Sequence, residues 1–302
     1  MNISAAIWAM QAFNGLSYFC VLLLMALGLA IVFGQMGVIN MAHGEFLTIG
    51  AYTTYLLSEV SQRWLPGLTN WYFFLAIAVA FVLAGAFGLL VEHLMIRRLY
   101  RRPLDTLLAT WGLSLVMQQV FRSTFGAREV SAKLPDWLLG SLKPTKAIDI
   151  PINGLVVIGL TTILTGAVLF SLFYTRFGVN VRATMQNRPM ASAAGINTAR
   201  IDRLTFGLGC GLAGVAGAAF TTIGSTGPTS GSLYIVDTFL VVVFGGAQSV
   251  FGTIASAFSI AQTQATTEFF MTGSMAKALT LSLVVLILMA RPQGLFALKM
   301  RR

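Results

Sequence analysis

Apolar runs close to the roughly 20 residues that carry a helix across a bilayer recur along almost the whole chain. They lie near residues 8–34, 42–59, 71–95, 104–122, 152–174, 203–224, 235–251, 253–270 and 276–291, and leave no stretch long enough for a separate soluble domain. Composition agrees: 56% of the residues are hydrophobic and only 10% charged, where a soluble domain carries about 25% charged residues. The expected fold is therefore all-α, a polytopic transmembrane bundle forming one domain over residues 1–302. The second and seventh runs are short and flanked by glycine, which suits half-helices or re-entrant segments, so eight or nine crossings are expected. The first 19 residues, "MNISAAIWAMQAFNGLSYF", hold no basic residue ahead of their apolar stretch, which argues against a cleaved signal peptide.

A net charge of +10 could suggest nucleic acid, but the cations are gathered in short loops between the apolar runs. Arg97, Arg98, Arg101 and Arg102 form one group, Arg176, Arg182, Arg188, Arg200 and Arg203 a second, and Arg291, Lys299, Arg301 and Arg302 a third. This is the positive-inside pattern; it predicts that these regions and the C-terminus face the cytoplasm. The loop at about 123–150, with mixed charges and prolines, then lies outside, as does the N-terminus. Cys20 and Cys210 stand alone in apolar surroundings and suggest no disulfide framework.

Catalytic readings fall away. "HGE" at His43–Glu45 matches half of a zinc deaminase signature, but its P-C-x-x-C is missing. H-E-x-x-H is also absent, and no lysine follows a glycine, which excludes a P-loop. No metal site, bound cofactor or enzymatic activity is expected of this chain. The small-residue ridge of Gly207, Gly211, Gly214 and Ala218 reads as helix packing.

Three features carry polar chemistry into apolar surroundings. The stretch "GQMGVINMAHGEFLTIGAY" places Asn40, His43 and Glu45 among glycines. These three could brace a broken backbone, contribute to gating, or touch a solute. Thr106, Thr110, Ser114 and Gln118 recur every four residues and share one helical face, with Trp111 beside them. That stripe suits either interhelical hydrogen bonds or a polar track for a small neutral solute. Asp237 enters an apolar run where it could cap a helix, pair, or line the pathway. In the loop at about 176–203, Asn187 is a good N-cap, Pro189 suits a first helical turn and Gly195 a C-terminal cap. The short helix so defined is either a docking surface or an interfacial helix lying on the membrane.

"INMAHGEFLTIGAY", "LLATWGLSLVMQQ", "RATMQNRPMASAAGI" and "STGPTSGSLYIVDTFLVVVFGGAQSVFGT" together resemble the permease subunits of bacterial ABC importers in the branched-chain amino acid family. Within it, the urea-type permease is the nearer match, on "LLATWGLSL" and "GPTSGSLYIVD". The resemblance implies a permease subunit in the bacterial inner membrane. Its implied partners are a second, homologous permease, two cytoplasmic ATPases that consume the ATP, and an extracytoplasmic solute-binding protein. It also implies that Asn187, Arg188, Pro189, Met190, Ala191, Ser192, Ala194 and Gly195 form the coupling helix that docks on an ATPase. Urea or a short-chain amide is the expected solute, since no Lys or Arg lies in the middle of a span. Branched-chain amino acid import is the alternative, and a passive urea or amide channel a further one.

Overall fold

The computed structural model of the protein describes residues 3–100, 102–145, 148–246, 249–291 and 294. The chain runs α1 (Ile3–Met36), α2 (His43–Trp64), α3 (Tyr72–Val91), a π-helical turn (Glu92–Ile96), α4 (Arg97–Leu99), α5 (Pro103–Phe125), β1 (Ser141–Thr145), β2 (Ile148–Pro151) and α6 (Ile152–Tyr174). It continues through α7 (Arg176–Gln186), α8 (Arg188–Ala193), α9 (Thr198–Phe220), α10 (Ser230–Gly245), α11 (Val250–Phe270) and α12 (Gly273–Ala290). Every expected apolar run is a helix, with ends shifted by a few residues.

The expected eight or nine crossings are not confirmed by length and hydropathy. Among the described residues, five helical segments are both long and apolar enough to cross a membrane: Ile7–Met36, Tyr72–Leu99, Ile152–Tyr174, Thr198–Phe220 and Gly273–Ala290. α2 is not the short element expected, since it has 22 residues, but its polar side chains lower its hydropathy. α10 is short as expected, with 16 residues.

α1 and α9 form the interior. From Cys20 to Leu27 every side chain of α1 is buried, and α9 is buried from Gly209 to Phe220. The expected ridge on α9 packs against α3, where Gly211 faces Phe81 and Gly214 faces Ala80 and Ala84. The opposite side of α9 carries Gly209 and Gly217, which meet α1 and α2. A methyl group at Gly28 or Gly209 would overlap the other's carbonyl, and one at Gly50 would overlap the carbonyl of Gly214. Gly44 of α2 and Gly231 of α10 are opposed in the same reciprocal way. Only hydrogen at Cα allows these backbones to approach so closely, which is how helices gain dispersion contact where lipid removes the hydrophobic drive.

The connection after α5 is more structured than a loop. β1 and β2 pair antiparallel, with Ser141 opposite Pro151 and Leu142 opposite Ile150. Val130 and Thr226 exchange backbone hydrogen bonds of 2.8 Å, tying this segment to the end of α9. The Lys133 carbonyl accepts from Tyr72 Oη at 2.7 Å and Ser58 Oγ at 3.1 Å. The segment therefore sits at the end of the bundle where α1 begins. Arg97, Arg98, Arg102, Arg176, Arg182, Arg188, Arg200 and Arg203 lie at the opposite end, as their grouping predicts; Arg101, Lys299, Arg301 and Arg302 fall outside the described residues.

Candidate functional site

The chain turns back after α1. Gly37 adopts φ +63°, a conformation that glycine reaches without steric cost, and residues 37–42 are non-helical until His43 opens α2. His43 Nε2 lies 3.2 Å from the carbonyl of Met25, so α2 starts level with the middle of α1, inside the protein. A buried non-helical stretch needs partners for its amides. Asn40 Oδ1 accepts from the Ala42 amide at 3.1 Å, and Thr110 Oγ1 accepts from the Met41 amide at 3.1 Å. Asn40, His43 and Glu45 are all fully enclosed. Bracing is thus the part these residues are seen to play.

The Thr106–Gln118 stripe completes this arrangement. Ser114 Oγ and Gln118 Nε2 both donate to Glu45 Oε1 at 2.9 Å, and Gln118 also donates to Ser114 Oγ at 3.1 Å. Thr106 Oγ1 donates to the carbonyls of Leu99 and Arg102 at 3.0 Å, closing the turn before α5. Trp111, beside this stripe on α5, is 53% exposed. The structure therefore favours the interhelical alternative, with α5 latched to α2 by polar side chains.

An open cavity of about 900 Å³ lies at the end where α1 begins. α1 supplies Gln11, Asn14 and Tyr18, the segment after α5 supplies Glu129, and α10, α11 and α12 supply Tyr234, Glu268 and Lys277. α10 opens in the protein interior, where the Gly231 amide donates to Thr48 Oγ1 of α2 at 3.0 Å. Of the parts open to Asp237, pairing is seen: its Oδ2 lies 2.8 Å from Lys277 Nζ and accepts from Tyr18 Oη at 3.2 Å. Lys277 was not singled out by the sequence. A single lysine at the edge of an apolar run reads as an ordinary flank, and its partner stands forty residues earlier on another helix.

At the arginine-rich end, Asn187 Oδ1 accepts from the Met190 amide at 3.0 Å and caps α8, Pro189 occupies its first turn, and Gly195 ends it at φ +84°. The same loop also holds α7, an amphipathic helix beyond what was expected. Pro189, Met190, Ser192 and Ala194 are exposed, whereas Ala191 is buried; Ala191 therefore belongs to the inner side of α8. Arg188 pairs with buried Asp202, which also accepts from Gln35 Nε2 of α1 at 3.3 Å. Buried Glu92 accepts from Tyr100 Oη at 2.8 Å and pairs with Arg203 at 3.4 Å. Burial and the Asp202 and Glu92 carboxylates push the Tyr100 phenol well above its ordinary range, so it remains a donor. These contacts tie α8 to α1, α9 and the π-helical turn after α3.

Apolar helices enclosing a braced break, with buried charges paired between helices and a mixed-charge cavity at one end, mark a polytopic helical membrane protein. The family described as "Branched-chain amino acid transport system / permease component" matches residues 11–290, and the chain belongs to it. It is 29% identical over 294 residues to the high-affinity branched-chain amino acid transport system permease protein LivH of Escherichia coli (strain K12), with 94% of each chain covered. Identity to the LivH protein of Salmonella typhimurium is 28% over 297 residues, again with 94% of each covered. For the corresponding protein BraD of Pseudomonas aeruginosa it is 26% over 292 residues, with 94% of each covered. No solved structure matches the chain. These relatives are named for branched-chain amino acids, and the expected preference for urea finds no support in them.

Proposed function

We propose that this chain is the membrane-spanning permease subunit of an ATP-driven importer of branched-chain amino acids. The family match over residues 11–290 carries the reading, and the cavity suits it. Its wall presents carboxylates, an ammonium group and apolar side chains such as Phe220, Leu233 and Phe269. An amino acid needs all three, whereas urea would need none of the charges. The solute arrives from an extracytoplasmic binding protein at the cavity end, and the arginine-rich end faces the cytoplasm of a bacterial inner membrane. A second permease and two ATPases complete the assembly. The exposed face of α8 docks on an ATPase, and its ties to α1 and α9 pass that movement into the bundle as it exchanges outward- and inward-open states.

The test is uptake by the assembled importer in proteoliposomes. Labelled leucine should accumulate in an ATP-dependent way, and a hundredfold excess of urea should leave it unchanged. Uptake of urea without leucine would defeat the substrate assignment, and solute flux with inactive ATPases would replace the importer with a channel.

A further inference from the structure

We propose that Lys277 and Glu268 form the two poles of a receptor for a zwitterion in the cavity, Lys277 taking the solute carboxylate and Glu268 its ammonium group. This assignment rests on the amino-acid reading above and gives that reading its residues.

The geometry of Lys277 is the first observation. An ammonium group has three N–H donors, and two are spent on Asp237 Oδ2 at 2.8 Å and the Leu233 carbonyl at 2.9 Å. The Tyr234 ring lies 5.9 Å from Nζ and leaves room for a third bond. The side chain is 34% exposed and lines the cavity, so the remaining donor has access to a ligand. Asp237, itself buried and held by Tyr18, fixes the amine in place instead of receiving the solute.

The second observation is the position of Glu268. Its Oε1 accepts from Gln264 Nε2 at 3.0 Å and lies 4.0 Å from where a side chain would begin at Gly273. Gly273 and Lys277 are four residues apart on α12, a rise of roughly 6 Å. Gly273 has no side chain to fill the interval. Phe220, Leu233 and Phe269 line the same cavity and offer an apolar wall for a branched side chain.

The two poles can be separated by ligands that carry one charge each. In the assembled permease–ATPase complex in nanodiscs, without the binding protein and with Cys20 and Cys210 replaced by alanine, Ser274→Cys places a maleimide target on the cavity wall. Leucine should slow its labelling. Lys277→Gln should raise the half-protecting concentration of leucine at least tenfold and leave that of leucinamide, which has no carboxylate, unchanged. Glu268→Gln should do the same for leucine and leave 4-methylpentanoate, which has no ammonium, unchanged. Equal weakening of all three ligands by either variant would mean a merely structural role, and no protection by leucine would mean that the cavity does not receive it; either result overturns the proposal. ATP-driven leucine uptake by the same complex with its binding protein is measured in parallel. Uptake without protection overturns the two-pole assignment alone, whereas absence of leucine uptake removes the transport reading and this proposal together.

Discussion

Glu45 shows how one residue can hold two helices together in surroundings where polar atoms have few alternatives. Its Oε1 is shared by Ser114 and Gln118 of α5, and the Met41 amide reaches Thr110 of the same helix. Removing one partner of a buried hydrogen bond costs about 1–3 kcal/mol, because the group left behind is neither paired nor hydrated. Glu45→Ala is therefore expected to destabilise the purified protein by roughly that amount or more, while Glu45→Gln, which keeps an acceptor for both donors, costs less. Thr110→Val, isosteric but without the acceptor, belongs with the damaging class. Thermal unfolding in detergent ranks the three, and equal midpoints for Glu45→Ala and wild type would show that α5 is held by something else. The stripe itself was legible in the sequence, because spacing of four assigns residues to one helical face. Its partner was not, since nothing in the stretch between Glu45 and Ser114, 69 positions apart, records which faces meet.

At the scale of an element, α8 was legible in detail because its signals are local. The side chain of Asn187, the ring of Pro189 and the positive φ of Gly195 each act within one helical turn. Which side of the helix faces outward is a tertiary fact, and it moves the expected contact from Ala191 to its neighbours. Met190→Glu, at a position 66% exposed, should leave the permease folded in the membrane and lower solute-stimulated ATP hydrolysis by the assembled complex at least tenfold. A charge set against an apolar docking cleft carries a desolvation cost of several kcal/mol. Ala191→Glu is expected instead to lower the amount of folded subunit. Unchanged stimulation in the Met190 variant would exclude this face from docking. The β1–β2 hairpin had a weaker signal: the alternation in "SLKPT" and "IDIP" spans only a few residues, and proline is uncommon within strands.

For the whole molecule, hydropathy was enough to find the helices and the arginines enough to sort their ends, because both depend on composition over whole segments. The order of packing around α1 was beyond reach, since it depends on which small residues meet across distant parts of the chain. The two-ended arrangement is open to a direct check. With Cys20 and Cys210 replaced, single cysteines at Ala193 and Ser131, both exposed and at opposite ends, should react with an impermeant maleimide from opposite sides of the membrane. Labelling of both in intact cells would overturn the orientation.

The glycine contacts that join α1, α2, α9 and α10 have a thermal consequence. Most helix interfaces freeze side-chain rotamers as they form, at up to about 2 kcal/mol for a long flexible residue. Where Gly28 meets Gly209 and Gly44 meets Gly231, there is no rotamer to freeze, and the approach is close enough for Cα–H to face carbonyl oxygen. The loss of entropy on association is correspondingly small, and its contribution to stability changes little on warming. α6 and α12 present mostly large side chains and are largely exposed, so heat weighs more heavily on them. The four inner helices are thus the part of the permease whose mutual arrangement persists while the periphery loosens.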